Sequence, residues 1–145
     1  MRVAAHNYAA YEWIHHEHVG RDAGLTTVQL WVIRDISTRA PSPSSPGPLS
    51  SLQAAALAFA DASTKDIKVS NEVFDSLASE FKKFLANETD IESKVQELLV
   101  ETTAVVGTYN MVSRFLVALD VGGKSDEPVP WPFDREEVHS SPIRA

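Results

Sequence analysis

The stretch TDIESKVQELLVETTAVVGTYNMVSRFLVAL, residues 89–119, decides the fold class. Val95, Leu98, Thr102, Val105, Tyr109, Val112, Leu116 and Leu119 recur there every three or four positions. That period fits one long amphipathic helix and does not fit a strand. Thr89 followed three residues later by Glu92 has the spacing of a capping box, and Gly122 with Gly123 offers a stop. Gly107 lies inside the helix. A glycine costs up to about 1 kcal/mol there relative to alanine, so it predicts close packing at that point.

Working outward, residues 70–85 form another helix, with Ser70 as N-cap and Val73, Phe74, Leu77, Phe81 and Leu85 on one broad stripe. Residues 51–63, with Leu52, Ala55, Ala56 and Phe59, form a third, and its alanines permit close helix approach. Residues 38–50 hold Pro41, Pro43, Pro46 and Pro48. Proline removes donors and restricts its predecessor, so this is an exposed connection. Upstream, Thr26 caps a short helix over residues 27–36. Residues 1–23 read as one helix through Val3, Ala4, Tyr8, Tyr11 and Ile14, ended by Gly20 or Gly24. After residue 123 the prolines Pro128, Pro130, Pro132 and Pro142 break every pattern, though Val129, Trp131 and Phe133 offer anchors. The expectation is an all-α chain of five to six helices. Residues 1–123 form one domain and residues 124–145 an extended tail.

Composition narrows the function. The 145 residues carry 13 Lys plus Arg against 20 Asp plus Glu, a net charge of −7, and no cysteine. An acidic surplus argues against nucleic acid, because phosphate neutralisation needs a cationic excess. The absence of cysteine excludes disulfides, thiolate metal sites and thiol catalysis. No apolar run approaches the roughly 20 residues of a membrane span. The polar run 11–18 stands where the apolar core of a signal peptide would be, so a cytoplasmic protein is expected. Gly-x-Ser-x-Gly, Walker A and Gly-x-Gly-x-x-Gly are all missing.

The densest chemical stretch is Tyr11-Glu12-Trp13-Ile14-His15-His16-Glu17-His18. On a helix Glu12 and His16 are i,i+4 neighbours. A carboxylate beside an imidazole makes a proton-transfer pair; a solvated, histidine-rich face is the plain alternative. His15 with His18, or Glu12 with His16, offers two metal ligands, short of the three or four that zinc needs. His6 and His139 are the remaining histidines, and no metal is expected. On the long helix, Asn110 and Arg114 are i,i+4. An arginine there suits a substrate carboxylate through its planar fork, or an ordinary ion pair with a glutamate. Glu97 and Glu101, also i,i+4, read as a solvated face.

The segment from Tyr11 to His16, followed by Gly20 to Leu25, resembles the YEWxxH…A…GL segment of carboxymuconolactone decarboxylase-like proteins of the AhpD-like superfamily. The resemblance continues through LQAAALAFAD (residues 52–61), residues 69–74, Glu101-Thr102-Thr103 and Tyr109-Asn110-Met111-Val112-Ser113-Arg114-Phe115. It spans roughly residues 8–121, and it implies an AhpD-like all-α bundle, usually a homo-oligomer. The thiol peroxidase branch uses Cys-x-x-Cys-x-x-x-His. Ala9 and Glu12 stand at its cysteine positions, so that activity is excluded. The decarboxylase branch implies His16 as proton carrier and Glu12 as its partner. Arg114, Asn110 and Tyr109 become substrate contacts, and Trp13 and Tyr11 become walls. Members carry further helices before the YEW segment, whereas here Tyr11 follows only ten residues. A shortened front end or a neighbouring subunit is implied. Tyr8, Trp13 and Trp31 then form an uncovered apolar flank that a second copy would bury. The expected function is cofactor-independent acid–base chemistry on a small carboxylate, lactone or secondary metabolite. The alternative is a non-catalytic small-molecule-binding or assembly protein on the same fold.

Overall fold

The computed structural model describes residues 1–133. His139 and Pro142 lie outside the described residues. The chain is all-α: α1 (Arg2–His6), α2 (Ala10–Asp22), α3 (Thr27–Arg34), α4 (Ser51–Lys65), α5 (Asn71–Phe84) and α6 (Ile91–Ala118), then a 3-10 turn at Val121–Gly123. No helix is long and apolar enough to cross a membrane among the described residues.

Among the described residues, three of the six helices start on a side-chain cap, at Thr26, Ser50 and Ser70. Thr26 and Ser50 each accept from the backbone N–H three residues on, while Gln29 and Gln53 reach back, giving two complete capping boxes. The box expected at Thr89 does not form. Asp90 is the N-cap of α6, in left-handed geometry with no side-chain cap, and Glu92 is drawn instead to Lys82 at 2.8 Å. α6 ends at Ala118, four residues before the glycine pair, where Asp120 takes positive φ.

The single helix expected over residues 1–23 is two helices. Asn7, Tyr8 and Ala9 interrupt it, with Tyr8 at φ 56°. The amide of Ala9 reaches back to the Ala4 carbonyl at 2.9 Å and that of Tyr8 to Ala5 at 3.4 Å. This is a Schellman closure with tyrosine in the place that glycine usually fills. The break lets α1 run into the middle of the molecule, where it meets α2, α3, α4 and α6. At the far end of α2 an ordinary Schellman closure uses Gly24 at φ 93°. Gly20 is inside α2, and a Cβ there would lie 2.9 Å from the Met1 sulfur. Gly107, expected to mark close packing, faces open space, with no atom beyond its own stretch of helix within 4 Å of where its Cβ would be among the described residues.

The main core joins α1, α4, α5 and α6 through Val3, Ala55, Phe59, Leu77, Phe81, Val95, Leu99 and Val106. A second cluster packs Ala4, Ala5, Ala9, Ala10 and Trp13 with Val129 from the tail. The buried line on α6 runs Val95, Leu99, Val106, Asn110, Ser113. It departs from the expected one, leaving Val105 and Leu119 exposed. A repeat of 3.5 drifts about 20° per heptad on a straight helix, and over 28 residues that moves the seam by about one position.

A buried cation ties these layers together. Arg2, 4% exposed, donates through Nη1 to the carbonyls of Val32, Ile33 and Asp35, and through Nη2 to that of Thr38. It thereby closes the C-terminal end of α3, where a positive charge also meets the negative end of the helix dipole. Its remaining donors grip both Asp61 oxygens, and His6 Nε2 meets Asp61 at 2.6 Å. Burial alone would push the Asp61 carboxyl up, but the hydrogen bonds and charges of His6 and Arg2 outweigh it and hold it at about 2. An ionised carboxylate only accepts, so the proton of that bond sits on His6 Nε2.

The tail folds back onto α2 and α3. Arg34 donates to the Val129 carbonyl and lies 4.6 Å over the Trp131 ring, which stacks on Trp31 at 4.7 Å. Arg21 holds the Phe133 carbonyl at 2.9 Å. Trp13 is fully buried, whereas Tyr8 and Trp31 stay exposed, Trp31 stacked on Trp131, so two residues of the flank expected to be bare remain open. Phe133 itself stays exposed.

Removing one partner of a buried ion pair costs about 3–5 kcal/mol. Asp61→Asn should lose stability of that order in urea unfolding at pH 7. The folded pKa of Asp61 lies below its unfolded value of 3.8. Its contribution is therefore complete above about pH 4 and disappears as pH falls toward 2, where variant and parent should converge.

Candidate functional site

α2 and α6 lie side by side, and two polar contacts bridge them. In one, Ser113 Oγ donates to Glu12 Oε2 at 2.6 Å. Both residues are buried: Glu12 is 1% exposed and Ser113 0%. Glu12 Oε1 is also buried and has no hydrogen-bond partner among the described residues. Burial pushes the Glu12 carboxyl up, and the bond from Ser113 only partly opposes this. A protonated carboxyl suits the place, because it brings no charge into the helix seam.

In the other contact, His16 Nε2 meets the Tyr109 hydroxyl at 3.0 Å, while Nδ1 meets the backbone carbonyl of Glu12 at 2.8 Å. A carbonyl can only accept, so Nδ1 carries a proton; in the neutral form of the ring, Nε2 then offers its lone pair to the Tyr109 O–H. The two rings meet edge to face with centroids 5.1 Å apart. His16 and Tyr109 are both half-buried. Glu12 thus orients His16 through its main chain, and no hydrogen bond joins its carboxyl to the imidazole among the described residues.

The other expected residues separate. Asn110, 9% exposed, accepts from Asn7 at 3.0 Å and donates to Thr64 and to the Val106 carbonyl. All three ties are internal, so it fastens α6 to α4 and to the α1–α2 break. Arg114 is exposed and has no hydrogen bond or ion pair among the described residues. Trp13 is a core residue whose Nε1 donates to Glu17 at 3.3 Å. Tyr11 is half-buried and meets His15 at a tilt of 44°, centroids 4.3 Å apart. His15 and His18 are exposed, and among the described residues no group of three or more His, Cys, Asp or Glu converges as a metal site would require. Glu97 and Glu101 are solvent-exposed, as their spacing suggested.

Neither Glu12 nor His16 lines any of the cavities of about 290 to 470 Å³ among the described residues. One, of about 290 Å³, is bounded by Leu25, Ile33, Leu49 and Leu57, with Arg2 at its edge. A more polar one, of about 470 Å³, lies beside Asp61. Ser113 and the Arg2–His6–Asp61 cluster were not anticipated. The i,i+4 spacing of Arg2 and His6 was a usable signal, but Asp61 is 55 residues beyond His6. No family model, no curated protein and no solved structure matches this chain.

The raised Glu12 pKa has a definite sign. The folded state holds a proton that the unfolded chain releases near 4.5. The Glu12 contribution to stability is therefore complete below that value and is lost as pH rises through the interval up to the folded pKa. Thermal melts across pH 4–8 should show that loss in the parent and a flatter profile for Glu12→Gln. Equal slopes would mean that Glu12 does not titrate in the folded chain.

Proposed function

We propose that this chain is a carboxymuconolactone decarboxylase-like protein of the AhpD-like kind, homo-oligomeric, that catalyses cofactor-independent proton transfer on a small carboxylate or lactone. His16 and Tyr109 form the working pair. One observation carries this reading: His16 is held in a single tautomer, with Nδ1 occupied and Nε2 presented to a tyrosine hydroxyl.

As substrate carbon beside a carbonyl gives up its proton to the Tyr109 oxygen, Tyr109 passes its own proton to His16 Nε2. Both protons return along the same line to quench an enolate. Loss of carbon dioxide would generate the same enolate, and the Tyr109 hydroxyl would then supply the proton, its phenolate regaining one from water. General acid–base help of this kind is worth about 10²–10⁴-fold. Glu12 acts here as a positioning residue, through its carbonyl and its buried bond to Ser113. Arg114 remains a candidate for holding a carboxylate, being a charged group on α6 with no partner among the described residues.

A second reading, a non-catalytic binding or assembly protein, is favoured by the position of the pair outside the larger cavities. Proton NMR on a panel of small γ-lactones and keto acids separates the two. The catalytic reading expects turnover that drops about 10²–10⁴-fold in His16→Ala and drops also in Tyr109→Phe, with circular dichroism unchanged. Turnover that survives His16→Ala removes the assignment, and a parent inert to the whole panel favours the second reading. Light scattering at micromolar concentration tests the oligomer separately, and a monomer would contradict it.

A further inference from the structure

We propose that the cavity beside Asp61 is a second site, one that takes a small organic acid, with Arg39 and Lys65 as its anion-binding groups. The cavity has a volume of about 470 Å³, within the range of small-molecule sites. It lies where the residues just after α3, the second half of α4 and the start of α5 come together. Its charged lining is Arg39, Lys65, Asp61 and Asp66.

The charges do not cancel. Asp61 is already saturated: Oδ1 takes Arg2 Nε and His6 Nε2, while Oδ2 takes Arg2 Nη2 and the backbone N–H of Ala40. Its negative charge is matched by the buried Arg2, so it has little left to offer a third cation. Arg39 and Lys65 have no ion pair or hydrogen bond among the described residues. Asp66, exposed at the C-cap of α4, is the one carboxylate left to oppose them. Two cations thus face one free anion across an opening large enough for a ligand. The guanidinium fork of Arg39 matches a carboxylate in two-point geometry, and Lys65 adds a point charge.

The rest of the lining selects the body of the ligand. Ala58, Ala62 and Val73 are small and apolar. They suit a short hydrocarbon chain and give nothing to a polyhydroxylated one. The site therefore fits a monocarboxylic acid with a few methylene groups better than inorganic phosphate. It shares no residue with the His16–Tyr109 pair, and it stands whether or not that pair is catalytic. Arg114, which the resemblance would put on a carboxylate, lines no such cavity; Arg39 does.

The full chain at low ionic strength, where exposed charges are least screened, should be titrated with hexanoate, phosphate and hexylamine by thermal shift and ligand-observed NMR. Hexanoate should bind saturably with a dissociation constant of about 1 mM, phosphate more weakly, and hexylamine not at all. Arg39→Ser with Lys65→Ser should weaken hexanoate at least about tenfold. Ala62→Phe, which fills the cavity without touching a charge, should do the same. Lys124→Ser, at a lysine already paired with Glu127, should change nothing. The two exposed cations can also be replaced singly, which keeps the test open if the double variant folds poorly. Non-saturable binding, binding unchanged in the cation variants, or hexylamine binding as tightly as hexanoate overturns the site. Phosphate binding as tightly as hexanoate overturns the organic-acid assignment.

Discussion

The Arg2 guanidinium is the constraint on which the arrangement of the helices depends. A buried arginine is tolerable only if each donor is met. Here the partners come from three separate places: the last carbonyls of α3, the Thr38 carbonyl in the connection, and Asp61 in the middle of α4. Meeting them all fixes where α3 stops, how the proline-rich connection leaves it, and which face of α4 turns toward α1. His6, one helical turn along, braces the same carboxylate. The five-residue α1 is thus held by ion pairing as well as by Val3, Ala4 and Ala5 in the core.

The seam between α2 and α6 is built on a different principle. Its deepest polar contact, Glu12 with Ser113, has no cation hydrogen-bonded to it among the described residues, and burial pushes the carboxyl pKa up. Closer to the surface His16 and Tyr109 meet across the same seam, in a setting where a proton can still be exchanged. One helical turn separates a carboxyl locked in the interior from an imidazole with an oriented lone pair. That contrast follows from depth: desolvation acts on the inner group, and the outer one is half open to water.

The sequence was legible where the determinants are local. The caps at Thr26 and Ser50, the proline-rich connection, the amphipathic α5 and the helical period of residues 91–118 rest on neighbours within a turn or two. The break after His6 was not legible, because it uses a tyrosine in left-handed geometry where glycine would have announced it. The failed box at Thr89 shows the converse: Glu92 had the right spacing, but a lysine on α5 competed for it. At the candidate site, the i,i+4 relation of Glu12 and His16 was correctly visible. Which atoms would meet was not, since Ser113 and Tyr109 approach from about a hundred residues away. Asn110 and Trp13 looked like site residues for a similar reason. A polar or aromatic side chain beside a site and one beneath it have the same signature in one dimension.

The reach of these contacts in sequence also orders assembly. α4, α5 and the first part of α6 are neighbours in the chain and share the main core. They can associate as soon as they emerge from the ribosome, since short loops close at little entropic cost. α1 can dock on α4 through Arg2 and Asp61, but α2, which emerges early, finishes last. Glu12 waits for Ser113, 101 residues on, and Asn7 waits for Asn110, 103 residues on. Until then the face of α2 that carries Glu12 lacks its α6 partner. A chain lacking residues 110 onward would hold the Arg2–Asp61 tie between α1 and α4, with α2 still missing the residues of α6 that it packs against.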